Sequence, residues 1–164
     1  SNSMKTFALS ILFVVLASIA SAQSVILGFG YSDFSAGNGE DSATFALEFQ
    51  GAPIFGGKNV AGGLAASAVL DAEGDAFVGV GLYGTVDLGQ AWFLEGSVMP
   101  GYYSDGTSEN DLGGNLQFRT LLAVGRTLAS GNRLSVAVTH KSNASLDDDN
   151  PGVNTLLLRW HRPF

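Results

Sequence analysis

Apolar and polar residues alternate along most of the chain after residue 22, in eight successive runs. In each run, one set of alternate positions is apolar and the other set is small, polar or charged. A period of two is the signature of a β-strand with two different faces. The last two runs show it clearly, because Leu134, Val136 and Val138 repeat at every second position before a loop, and Leu156 and Leu158 do so after it. We therefore predict an all-β protein.

Turn-forming residues separate these runs. The connections after the first, third, fifth and seventh runs cover residues 35–41, 71–75, 105–114 and 143–152, and the others cover residues 51–58, 85–89 and 128–132. The first set is more acidic and mostly longer. This asymmetry is typical of a transmembrane barrel, whose outer loops are longer than its periplasmic turns.

Two soluble folds compete with this interpretation, a β-sandwich and a lipocalin-like barrel, and both would bury the apolar face. The position of the charges favours the membrane. The apolar face has almost no charge over about ten residues, the length of a tilted strand that crosses a bilayer. The other face carries groups that can pair across a narrow lumen, namely Glu48, Glu95, Gln117, Arg119, Arg159 and His161. We predict an eight-stranded antiparallel transmembrane β-barrel, which satisfies every backbone group by closure.

The first 22 residues have a different pattern. Lys5 is followed by an apolar run over residues 7–19 and by Ala20-Ser21-Ala22, a small-x-small cleavage signal. This pattern predicts a cleavable signal peptide, cut before Gln23. A membrane anchor is disfavoured, because the run is shorter than the roughly 20 residues of a spanning helix. The predicted organisation is an N-terminal remnant and signal peptide over residues 1–22, and a barrel over residues 23–164 with both ends in the periplasm.

The composition argues against several classes of partner. The formal net charge is −7 and basic residues do not cluster, so the chain is predicted not to bind nucleic acid. The acidic run Asp147–Asp149 lacks the alternate spacing of a calcium loop, so we predict no metal site. No motif for a cofactor is present, since the glycines of the first and fourth runs precede no helix.

A histidine, a serine and a carboxamide share the apolar face near the ends of the last two strands. Parity places His140 and Ser142 on one strand and Asn154 on the next. On the predicted barrel they face lipid at the outer rim, where a Lys or Arg costs about 0–1 kcal/mol. A neutral His140 can take the Ser142 proton as the serine attacks an ester, and Asn154 can fix the tautomer. Asn143 and Asn150 are candidate oxyanion donors.

The segment His140-Lys141-Ser142-Asn143-Ala144, followed by Asn150-Pro151-Gly152 and a last strand ending in an aromatic residue, resembles the lipid A 3-O-deacylase family, the PagL type. The close match covers residues 134–164. The resemblance implies a barrel in the outer membrane of a Gram-negative bacterium, which hydrolyses an ester-linked acyl chain at the 3-position of lipid A in lipopolysaccharide. It also implies a serine nucleophile at Ser142, a base at His140 and a carboxylate that orients this histidine.

The chain departs from the family at that third position, which Asn154 occupies. An amide orients an imidazole but does not stabilise an imidazolium by charge, so low activity is expected unless Asp147, Asp148 or Asp149 substitutes. The alternative function is a non-catalytic outer-membrane barrel with an adhesion or membrane-stabilising role. A homodimer is compatible with the sequence, which does not decide the oligomeric state.

Overall fold

A computed structural model describes residue 10 and residues 22–34, 42–105, 115–143 and 152–164. In this part of the chain, eight antiparallel strands form one closed barrel, in which each strand pairs with its neighbours in sequence and the last pairs with the first. The strands are β1 (Ala22–Phe34), β2 (Ser42–Gly56), β3 (Val60–Asp71), β4 (Ala76–Gly89), β5 (Trp92–Ser104), β6 (Leu116–Thr127), β7 (Arg133–Ser142) and β8 (Val153–Pro163). The predicted eight-stranded barrel is therefore confirmed.

The predicted signal peptide falls almost entirely on residues outside the described ranges, and it stays a prediction. Within those ranges, no helix has both the length and the apolar character needed to span a membrane. We term the end of the barrel at which β1, β3, β5 and β7 finish the outer rim, because the connections predicted to be extracellular follow these strands.

The outward face of the barrel is apolar on every strand. Large side chains that a soluble protein would bury are exposed here, among them Phe29 at 62%, Leu122 at 67% and Leu158 at 59%. Aromatic residues lie exposed near strand ends, as expected for an aromatic girdle: Trp92, Tyr102, Trp160 and Phe164. An exposed apolar band with aromatic borders is the surface that a transmembrane barrel presents to lipid.

Ion pairs cross the lumen of the barrel. Glu48 on β2 contacts Arg119 on β6 and Arg159 on β8, the latter at 2.5 Å. Arg159 also contacts Glu95 on β5 at 2.8 Å. All four side chains are buried. The predicted lumen network is therefore confirmed, and it ties together strands that are not neighbours in the sheet.

Towards the outer rim the lumen holds large aromatic side chains, which were not among the predicted lumen residues. Phe77 and Tyr103 are buried to 1% and 2% exposure. The Phe77 ring lies over two glycines, because a Cβ added at Gly79 or Gly101 would come within 2.7 or 2.6 Å of it. Glycine at these positions therefore makes room for the ring in the narrow lumen.

Two strands are longer than the sequence indicated. The turns were expected to begin at Gly51 and Thr85, but β2 continues to Gly56 and β4 continues to Gly89. The extension of β2 contains Pro53 between two register shifts, and proline is tolerated in a strand at such a bulge. The turn after β4 places Gln90 and Ala91 at φ 54° and 70°. Asn-Gly or Gly-Gly is usual at a turn of this kind, so the sequence carried no signal for it.

Candidate active site

His140 and Asn154 are direct register partners on β7 and β8, and both side chains are exposed on the outward face. The imidazole Nδ1 and the amide Oδ1 lie 2.7 Å apart. Since the amide oxygen only accepts, Nδ1 carries the hydrogen and donates it. In the neutral imidazole, Nε2 is then the nitrogen without a hydrogen, as a general base requires.

Ser142 is the last residue of β7, two positions after His140 on the same face, and it is half-buried. Residues two apart on a strand lie roughly 6.8 Å apart at Cα. A side chain that leans along the strand covers much of that distance. The fold therefore keeps the histidine and the serine as neighbours on one surface.

Gly152, which precedes β8, lies against the edge of the His140 ring. Its φ is +71°, and a Cβ added to it would lie 2.9 Å from His140 Cε1 and 3.4 Å from Nε2. Gly152 belongs to the predicted turn and to the Asn150-Pro151-Gly152 segment of the family resemblance, but no role in the site was predicted for it. The available signal was its position directly after Pro151 at the start of a strand.

The site borders the apolar band. Val138 and Leu156 form the next outward-facing pair on β7 and β8, and they are 55% and 56% exposed. Beyond His140 and Asn154, both strands end within two residues, at Ser142 and Val153. The candidate residues therefore lie between the apolar surface and the loop at the outer rim.

The remaining candidates divide into two groups. Asn143 is described and fully buried, in contrast to the exposed His140. Asn150 and the Asp147–Asp149 run lie outside the described residues. Among the residues that the structure describes, no three His, Asp or Glu side chains are grouped to hold a metal ion.

A protein-family model matches most of the chain. The model of the family described as lipid A 3-O-deacylase (PagL) matches residues 31–163. The chain belongs to this family. The matched range includes all the candidate residues, so the resemblance of the last two strands to the PagL type is confirmed. Family membership, together with the apolar outward face, indicates the outer membrane of a Gram-negative bacterium.

Solved structures share the fold. The crystal structure of the outer membrane enzyme PagL matches with a TM-score of 0.69 and 19% identity, over 86% of this chain and 99% of that chain. Neisserial surface protein A matches with a TM-score of 0.59 and 10% identity, over 86% of this chain and 96% of that one. A search of curated proteins returns no match. At these sequence identities, the similarity shows the shared fold and does not show the chemistry of the site.

Proposed function

We propose that this protein is a lipid A deacylase of the outer membrane, which hydrolyses the acyl ester at the 3-position with Ser142 as nucleophile and His140 as base. The observation that carries the proposal is the 2.7 Å hydrogen bond between His140 Nδ1 and Asn154 Oδ1. A base held by a third group, with a serine beside it, is the arrangement that activates a hydroxyl.

The reaction follows from the protonation state of His140. Nε2 takes the proton of the Ser142 hydroxyl as Oγ attacks the ester carbonyl carbon. The imidazolium then donates this proton to the leaving sugar oxygen, and the acyl chain stays on Ser142. His140 then deprotonates a water that attacks the acyl-enzyme, the fatty acid leaves, and the imidazolium returns the proton to Ser142 Oγ. The proposed donors to the oxyanion are the backbone N–H of Asn143, whose side chain is buried, and the amides of Asn150.

The height of the site on the barrel fits an ester at the base of an acyl chain. Val138 and Leu156 present apolar surface immediately below the site, where an acyl chain can lie. His140 and Asn154 lie one residue pair above, at the border with the outer rim. In lipid A, the ester joins an apolar chain to a polar sugar, so the same change of polarity occurs at the bond to be cleaved.

Asn154 lowers the expected rate. A carboxylate beside the imidazolium would stabilise the charge that forms during the reaction, whereas an amide offers only a dipole. This departure from the family supports a second candidate function. It is a non-catalytic barrel with an adhesion or membrane-stabilising role. The homodimer stays a prediction.

The test is mass spectrometry of lipid A from cells that carry each variant. We expect Ser142→Ala and His140→Ala each to reduce deacylation about 10³-fold or more, and the double variant to be little worse, because the two residues act as one unit. Ser104→Ala is the control, since Ser104 is an exposed serine that also ends a strand at the outer rim. Activity that survives Ser142→Ala contradicts the proposal. Activity found only in Asn154→Glu indicates a barrel that has lost its chemistry.

A further inference from the structure

A carboxylate lies on the far side of Asn154, in the same row of outward-facing residues. β1 pairs with β8 without a register shift, and Asp33 is the direct partner of Asn154. Asn154 is in turn the direct partner of His140 on β7. All three side chains are exposed. Barrel closure therefore places an acid, an amide and a histidine side by side on three adjacent strands.

The distances allow Asp33 to contact the amide of Asn154. Side chains of directly opposed residues have Cβ atoms about 4.5–5.5 Å apart. The amide oxygen of Asn154 faces β7, where it accepts from His140 Nδ1 at 2.7 Å. The amide nitrogen can then donate on the other side of Asn154, where β1 lies. The register places the carboxylate of Asp33 on that side of Asn154.

We propose that Asp33 is a positioning residue of the active site, which accepts a hydrogen bond from Asn154 Nδ2 and so compensates for the absence of a carboxylate at position 154. The inference rests on the proposed function. An amide can turn about its last bond and offer either its oxygen or its nitrogen to His140. A carboxylate accepts only from the nitrogen, so Asp33 selects the orientation in which Asn154 accepts from Nδ1. The same hydrogen bond increases the negative partial charge on the amide oxygen, which faces the imidazolium.

Asp33 acts on His140 mainly by orienting the amide of Asn154, and less by direct charge attraction. Asp33 and His140 are two strand spacings apart, roughly 10 Å. This exceeds the Debye length of about 8 Å at physiological salt, so water and ions screen the direct attraction at the exposed rim. The contact through Asn154 is not screened in this way. The effect of Asp33 should therefore depend on the residue at position 154.

The other described carboxylates at the outer rim are not neighbours of the site. Asp71 ends β3, and its Oδ1 accepts from the backbone N–H groups of Glu73 and Asp75 in the following turn, each at 3.0 Å. Asp105 follows β5 and is exposed. Among residues 22–34, 42–105, 115–143 and 152–164, Asp33 is the only acid paired in register with Asn154.

The experiment measures kcat and KM for release of fatty acid from lipid A in liposomes. We expect Asp33→Asn to lower kcat about 10-fold with little change in KM, as for the loss of one hydrogen bond to a charged group. Asp33→Glu should restore most of the rate, because it keeps the acceptor. Asp105→Asn is the matched control, since it removes the same charge from the same rim. In the Asn154→Glu background, Asp33→Asn should cost nothing.

If Ser142→Ala is inactive, as the proposed function requires, either of two results overturns the role of Asp33. One is a kcat for Asp33→Asn equal to that of Asp105→Asn, and the other is an equal loss in the Asn154→Glu background. Activity that survives Ser142→Ala, or an inactive wild type, overturns the proposed function itself. Folding of each variant is checked by its heat-dependent gel mobility. Asp33→Ser, which also removes the carboxylate, provides a second measurement if Asp33→Asn does not assemble.

Discussion

The chemistry of the site depends on which nitrogen of His140 carries the hydrogen. Asn154 determines this, because its oxygen accepts from Nδ1 and leaves Nε2 as the base. The position of the ring matters as much as its protonation, since a misplacement of about 1 Å can cost 10²-fold in rate. Gly152 lies against the ring edge and leaves no space for a larger residue.

Gly152→Ala should therefore reduce deacylation about 10-fold or more while the barrel stays folded. The new methyl group would lie 2.9 Å from His140 Cε1 and would displace the ring. Gly131→Ala is the control, because Gly131 also has a positive φ, of 90°, but a Cβ there meets nothing within 4 Å. Both changes strain the backbone by about 1–2 kcal/mol. Equal activities of the two variants would show that Gly152 does not act through His140.

At the scale of single elements, the strand pairs decide which residues meet. His140 opposes Asn154 because β7 and β8 pair in one continuous register. A slip by one residue would turn every side chain of a strand to the opposite face. β4 and β5 are joined by a tight turn, in which Gln90 and Ala91 are both at positive φ. Neither residue is suited to that conformation, so this turn is strained.

Ala91→Gly should stabilise the barrel by about 1 kcal/mol, because glycine adopts the φ of 70° without the clash of a Cβ. The measurement is a urea titration of the refolded protein in liposomes. Ala68→Gly is the matched control, as Ala68 lies within β3 and is exposed. We expect that control to lose about 0.5–1 kcal/mol. A loss of stability in both variants would argue against strain at the turn.

At the scale of the whole molecule, the barrel is held by its sheet and by charges that cross its lumen. Glu48 contacts Arg119 and Arg159, and Arg159 contacts Glu95. These residues come from β2, β5, β6 and β8, so the network connects opposite walls of the barrel. A buried pair contributes little net stability against an apolar replacement, but a charge left without its partner is strongly destabilising.

Glu48→Gln should therefore lower the free energy of unfolding by about 3–5 kcal/mol, because two buried arginines lose a common partner. Removing Glu48 and Arg119 together should cost less than the sum of the two single changes. Urea titrations in liposomes measure each value, with exposed Asp105→Asn as the control. Strictly additive losses would contradict the network.

The sequence by itself determined the strand number, the two faces and the position of the candidate residues. The reason is local. Side chains alternate along any strand, and the face in contact with lipid has to be apolar at each position. His140, Ser142 and Asn154 were placed on the outward face by parity alone. The charges of the lumen were identified in the same way, since almost no charge occurs on the opposite face.

The tertiary structure decided which strands and side chains meet across the barrel. Asp33 reaches Asn154 only because β1 closes on β8, and no pattern within either strand contains that register. Phe77 and Tyr103 were not assigned to the lumen, and the Phe77 ring fits there because it packs against Gly79 on its own strand and Gly101 on β5. Closure, register and packing depend on all eight strands together, whereas periodicity reports the surroundings of one strand at a time.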